Sequence, residues 1–92
     1  MQRTKVIYRP EAIADLKDIY RIVAGVSRSH EVASDFVDRI MARCRKIGNA
    51  PHGGAPRDDL EPGLRTVPFE RRAVIEYRAE KDVEILNVFY GG

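Results

Sequence analysis

The sequence predicts an α+β fold, a two-layer βααβββ domain with an antiparallel helical hairpin packed on one face of a small, mainly antiparallel sheet. Three observations carry that expectation. Between Pro10 and Ile47 apolar residues recur at spacings of three and four. After Leu64 the pattern changes to alternation rich in β-branched and aromatic residues. Between the two regions lies a stretch of Gly, Pro and charge with no period.

Lys5 to Tyr8, Lys-Val-Ile-Tyr, reads as a short strand that stops before Pro10, which cannot donate a ladder hydrogen bond. Pro10 suits the first position of a helix, with Glu11 and Asp15 near the positive end of its dipole. Ala12, Ile13, Leu16, Ile19, Tyr20 and Val23 form one apolar stripe along it. Gly25 is the expected left-handed cap, followed by the link Val26-Ser27-Arg28. Ser29 caps a second helix whose stripe is Ala33, Phe36, Val37, Ile40, Cys44 and Ile47, with Arg43, Arg45 and Lys46 in its last turns, where cations are favoured. So short a link makes the helices antiparallel neighbours, and Gly48 is expected to close the hairpin.

Residues 48–62, GNAPHGGAPRDDLEP, read as a crossover loop from helix to sheet; a loop of this length in a compact domain is either functional or mobile. Three strands follow. Leu64 to Phe69 contains Pro68, which points to a sheet edge or a bulge. Arg72 to Arg78 alternates Ala73, Ile75 and Tyr77 against Val74, Glu76 and Arg78. After the turn Ala79-Glu80-Lys81-Asp82, Val83 to Tyr90 is apolar on both faces near its end, which places it inside the sheet.

Ninety-two residues fit one domain, residues 1–92, with a core just large enough to fold without metal or disulfide staples. The single cysteine and the absence of an apolar run long enough to span a bilayer give a cytoplasmic expectation. Net charge is only +2, but residues 1–47 carry ten Lys/Arg against six Asp/Glu while residues 48–92 carry six against eight. A strand-rich half that is slightly acidic fits poorly with a broad phosphate-binding sheet. Twelve of the sixteen cations are arginine, whose planar fork pairs carboxylates as readily as phosphates.

His30, His52 and Cys44 are too isolated to supply the ligand pairs of a metal site, and Gly53-Gly54 lacks the lysine and flanking elements of a phosphate loop. No cofactor is expected. The chemistry left to test is metal-free RNA cleavage by the 2′-hydroxyl, which needs a proton acceptor, a donor and cations around the phosphorane. Arg57, Arg65, Arg71, Arg72 and Tyr90 are the available side chains.

The stretch Arg57 to Tyr77 decides between these readings by resemblance. Arg57-x-Asp59-Leu60, Pro62-Gly63-Leu64-Arg65, Pro68-Phe69 and Val74-Ile75 with Tyr77, preceded by Tyr8-x-Pro10-x-Ala12, Asp15-Leu16 and Ile19-Tyr20, resemble a ParE-like toxin of the RelE/ParE superfamily of type II toxin-antitoxin systems nearly end to end. The resemblance implies a toxin that acts by binding DNA gyrase and is neutralised by a cognate ParD-like antitoxin, with operator DNA met only through that antitoxin. Arg57, Arg65, Arg71 and Arg72 are then the expected target-binding residues. Ile13, Tyr20 and Val23 are the expected contacts for an amphipathic C-terminal antitoxin segment in a hetero-oligomer.

RelE-like relatives that cut ribosome-bound mRNA use a basic cluster on the sheet, for which Arg65, Arg72 and Tyr90 are the matching candidates. Against that pattern the chain carries Val67 and Val74 where cations are expected. Each missing donor costs roughly 3 kcal/mol of transition-state stabilisation. Binding without catalysis is therefore the leading expectation; an mRNA endoribonuclease and a non-toxic antitoxin-binding subunit are the alternatives.

Overall fold

The computed structural model describes residues 4–91; Met1 to Arg3 and Gly92 lie outside it. The elements are β1 (Val6–Tyr8), α1 (Pro10–Ser27), α2 (His30–Asn49), β2 (Ala55–Pro56), β3 (Leu64–Phe69), β4 (Ala73–Ala79) and β5 (Val83–Tyr90). They form a five-stranded sheet in the order β1-β5-β4-β3-β2, antiparallel except for the parallel β1–β5 pair, with both helices packed on one face. The two-layer α+β expectation holds. One strand is added to it: β2, inside the stretch read as a plain crossover, pairs Ala55 with Thr66 and Pro56 with Arg65.

The periodicities explain the core. Ala12, Leu16 and Ile19 of α1 and Ala33, Phe36, Ile40, Cys44 and Ile47 of α2 are buried, as their stripes require. They meet Val67 and Phe69 of β3, Ala73, Ile75 and Tyr77 of β4, and Val83, Ile85 and Val88 of β5. The step from Ile85 to Val88 breaks alternation because Leu86 is an extra residue: Tyr77 pairs with Ile85 and Glu76 with Asn87. This bulge returns Val88 to the core face. It, rather than burial of both faces, accounts for much of the apolar run, since Phe89 stays 53% exposed.

Beyond Ile85 the strand β1 no longer covers β5, because Arg9 donates its N–H to Ile85 O at 2.9 Å and Pro10 turns the chain into α1. The freed edge is satisfied from the helix: Asp15 Oδ2 accepts from Val88 N at 2.9 Å and Asn87 Nδ2 at 3.1 Å.

Two glycine expectations are corrected. Gly25 lies within α1, which continues to Ser27; the left-handed cap is Arg28, φ 56°, leaving only Arg28 and Ser29 as the link. Ser29 then caps α2 by accepting from Val32 N at 3.1 Å, as expected. Gly48 does not end α2 either. It sits inside the helix, where β1 crosses so closely that Thr4 N bonds Gly48 O at 3.1 Å and a β-carbon would stand 2.7 Å from Thr4 O.

Candidate functional site

The four arginines expected to meet a target divide into two pairs. Arg57 is held by its neighbour, with Nε and Nη2 donating to the two oxygens of Asp59 at 3.0 Å each. That guanidinium holds the Asp59 carboxyl below the usual carboxylate range. Arg65 is committed to the backbone: its Nη1 donates to His52 O at 3.0 Å and Gly54 O at 2.8 Å. Opposite it on β4, the fully buried Tyr77 closes the same clamp, donating from Oη to Pro51 O at 2.8 Å and accepting from Gly54 N at 2.9 Å. Cross-strand partners on the core face thus fasten residues 51–54 over the end of the sheet. Only glycine fits at position 54, where a β-carbon would lie 2.6 Å from Tyr77 Oη.

Arg71 and Arg72 occupy the corner between β3 and β4 and form no ion pair within 4.0 Å among the described residues. Glu70, φ 48°, and Arg71, φ 58°, are consecutive left-handed residues, and Arg72 N bonds Phe69 O at 3.1 Å. That is the φ pattern of a type I′ turn, which ordinarily carries Asn-Gly. Here it carries two bulky residues, and Arg39 of α2 braces it by gripping Glu70 with both prongs, at 2.8 and 3.0 Å. Arg39, and more weakly Arg72, keeps the Glu70 carboxyl below its ordinary range. The Arg39 guanidinium also lies 5.4 Å from the Phe36 ring centre, and Phe36 meets Tyr90 edge-on at 5.7 Å.

The trio a ribonuclease would need is not assembled. Arg72 and Tyr90 border one small cavity of about 190 Å³ beside Phe36 and Glu70. Arg65 faces the loop: its rung, Arg65–Tyr77, is four residues along β4 from Ala73, which pairs with Tyr90. At about 3.3 Å per residue the two rungs are roughly 13 Å apart.

The helical layer carries an apolar groove of about 390 Å³ between α1 and α2, lined by Tyr8, Ile13, Leu16, Lys17, Tyr20, Val37 and Met41. Ile13 is 44% exposed in it. Tyr20 Oη is fixed by a 2.8 Å hydrogen bond with His30 Nδ1, which ties the two helices together across its wall. Val23, grouped with Ile13 and Tyr20 in the sequence, instead lines the Phe36–Tyr90 cavity. Met41 was not singled out, although it lies four residues beyond Val37 and so on the same side of α2.

The model of the family described as ParE toxin of type II toxin-antitoxin system, parDE, matches residues 6–92. The chain belongs to the ParE toxin family. A solved structure described as the chromosomal ParDE TA system from P. aeruginosa is similar to this ParE-type toxin, with a TM-score of 0.82 and 26% identity over 98% of each chain. Among curated proteins none matches. Among the described residues of this ParE-type toxin, no helix is long and apolar enough to cross a membrane. The far face of its sheet, away from the helices, carries carboxylates at one end, with Glu61 and Glu84 around Arg78. Glu76 stands beside them with its carboxyl pushed up by burial and by Glu61.

Proposed function

We propose that this ParE-type toxin arrests growth in the cytoplasm by binding DNA gyrase, and that a cognate ParD-like antitoxin neutralises it by laying an amphipathic C-terminal segment in the α1–α2 groove. The observation that carries the binding mode is the commitment of Arg65 to two loop carbonyls. Those bonds aim Arg65 at the 52–54 loop, four residues along β4 from the rung of Tyr90, while Arg71 and Arg72 stay exposed at a corner able to meet a protein surface. The groove supports the antitoxin contact: Ile13, Tyr20, Val37 and Met41 offer the kind of apolar channel an amphipathic helix fills with residues at helical spacing. Operator DNA is contacted only through the antitoxin.

The test is a gyrase supercoiling assay with the pure protein run beside translation in an extract. The reading requires loss of supercoiling with translation intact. Defined cuts in message that vanish in Arg72→Ala or Tyr90→Phe would replace it with the ribonuclease reading. For the antitoxin contact, Ile13→Glu is expected to abolish co-purification with the ParD-like partner while leaving the toxin folded. Retained co-purification would move that contact elsewhere.

A further inference from the structure

The far face of the sheet, away from the helices, carries an exposed apolar row. Pro68, Val74 and Phe89 are cross-strand partners on β3, β4 and β5, and they point away from the helices because Phe69, Ala73, Ile75 and Val88 point toward them. Val74 is 37% and Phe89 53% exposed, and with Arg71 and Arg72 they border a depression of about 430 Å³. A single exposed apolar residue on a surface is ordinary; three in one rung, rimmed by two cations that form no ion pair within 4.0 Å among the described residues, form a patch of the kind that marks an interaction site.

A second observation points the same way. The turn that displays Arg71 holds two successive non-glycine residues at positive φ, with Arg39 clamped to Glu70 beside it. Local strain of this sort collects at binding surfaces. The clamp also takes up the one carboxylate of the turn that could have paired with Arg71 or Arg72.

From this arrangement we infer that the Pro68–Val74–Phe89 row is a docking surface for an acidic protein segment, in which one bulky apolar side chain seats on the row and neighbouring carboxylates pair with Arg71 and Arg72. The row spans two strand spacings, roughly 10 Å, so an aromatic residue with acids within three positions of it matches the spacing. A single-stranded nucleic acid fits less well. It needs a continuous cationic track, whereas the same sheet face turns acidic toward Glu61, Glu76 and Glu84. The inference concerns the surface and the chemistry of its occupant and holds whether or not gyrase supplies the segment.

The experiment is an NMR titration of the full chain with an extended peptide carrying a central phenylalanine flanked by glutamates. The controls are a lysine-flanked copy, an alanine-centred copy and an oligouridylate. Amide shifts are expected at Arg71, Val74 and Phe89, with affinity falling as salt rises. The charge-reversed pair Arg71→Glu with Arg72→Glu, and separately Phe89→Ser, should each weaken binding roughly tenfold or more. Both act at exposed positions, and the charge reversal decides the matter if Phe89→Ser fails to fold. Shifts confined to the α1–α2 groove, equal binding of the lysine-flanked peptide, preference for the oligouridylate, or no shift at all would each overturn the assignment.

Discussion

Tyr77→Phe removes one oxygen atom from a fully buried ring and isolates the clamp on residues 51–54. Gly54 N–H is buried and loses its acceptor at 2.9 Å; an orphaned buried donor costs about 1–3 kcal/mol. Pro51 O loses its donor at 2.8 Å but is half-exposed, so water restores part of that bond and the cost is about 0.5–1 kcal/mol. The sum is about 1.5–4 kcal/mol. With an unfolding entropy of about 2.1 cal/mol/K per residue over 92 residues, roughly 0.19 kcal/mol/K in all, the melting temperature should fall by about 8–20 °C. Thermal denaturation followed by circular dichroism reads this directly. A double-mutant cycle with Arg65→Met should show a coupling of about 1 kcal/mol, because both side chains fasten the same four residues. A drop of less than about 3 °C, or strict additivity with Arg65→Met, would refute the clamp and return Arg65 to the pool of free cations.

Three further outcomes follow from the geometry. Gly48→Ala should destabilise by about 1–3 kcal/mol, because the new β-carbon meets Thr4 O at 2.7 Å and Val6 Cγ2 at 2.9 Å; a higher urea midpoint, as helix propensity alone predicts, would contradict this. Arg71→Gly should stabilise by about 1 kcal/mol by relieving φ 58°, while Arg71→Ala should not; equal gains in melting temperature from both would show that backbone strain is not the cause. The Glu70 pKa is depressed in the fold from its ordinary 4.5, so the stability gained from Arg39 is present above that value and lost as pH falls through the lower folded one. The pair is solvent-exposed, so the gap between the protein and Glu70→Gln should be about 0.5 kcal/mol near neutral pH and close in acid, as denaturant titrations at several pH values would reveal.

The sequence made the helices and the three long strands legible because each carries a period long enough to outweigh local exceptions. β2 has no such signal: it is two residues long and half of it is proline. Gly25 and Gly48 were misread because a glycine near the end of a stripe resembles a cap. What decides Gly48 is the passage of Thr4, more than forty positions earlier in the chain, which no local pattern reports. The same limit applies to the site. Arg65 was assigned to its strand correctly, but its partners are carbonyls at positions 52 and 54, reached only once the loop folds back. Ile13 and Tyr20 fall in one groove as their spacing suggested, whereas Val23 turns toward Phe36 and Tyr90. Phe89 owes its outward aim to the extra residue at Leu86, a shift in register that alternation cannot foresee.

The two recesses open on opposite sides of a body measuring 39 × 31 × 23 Å. On the proposed reading, an antitoxin segment seated between the helices would have to pass around a rim to reach the strands behind it. Crossing even the smallest of those dimensions takes at least about seven extended residues. An antitoxin tail that lies only between the helices, as proposed, and is shortened by that much would leave the reverse side bare, so on the proposed reading binding and shielding of the strands could be separated by truncation.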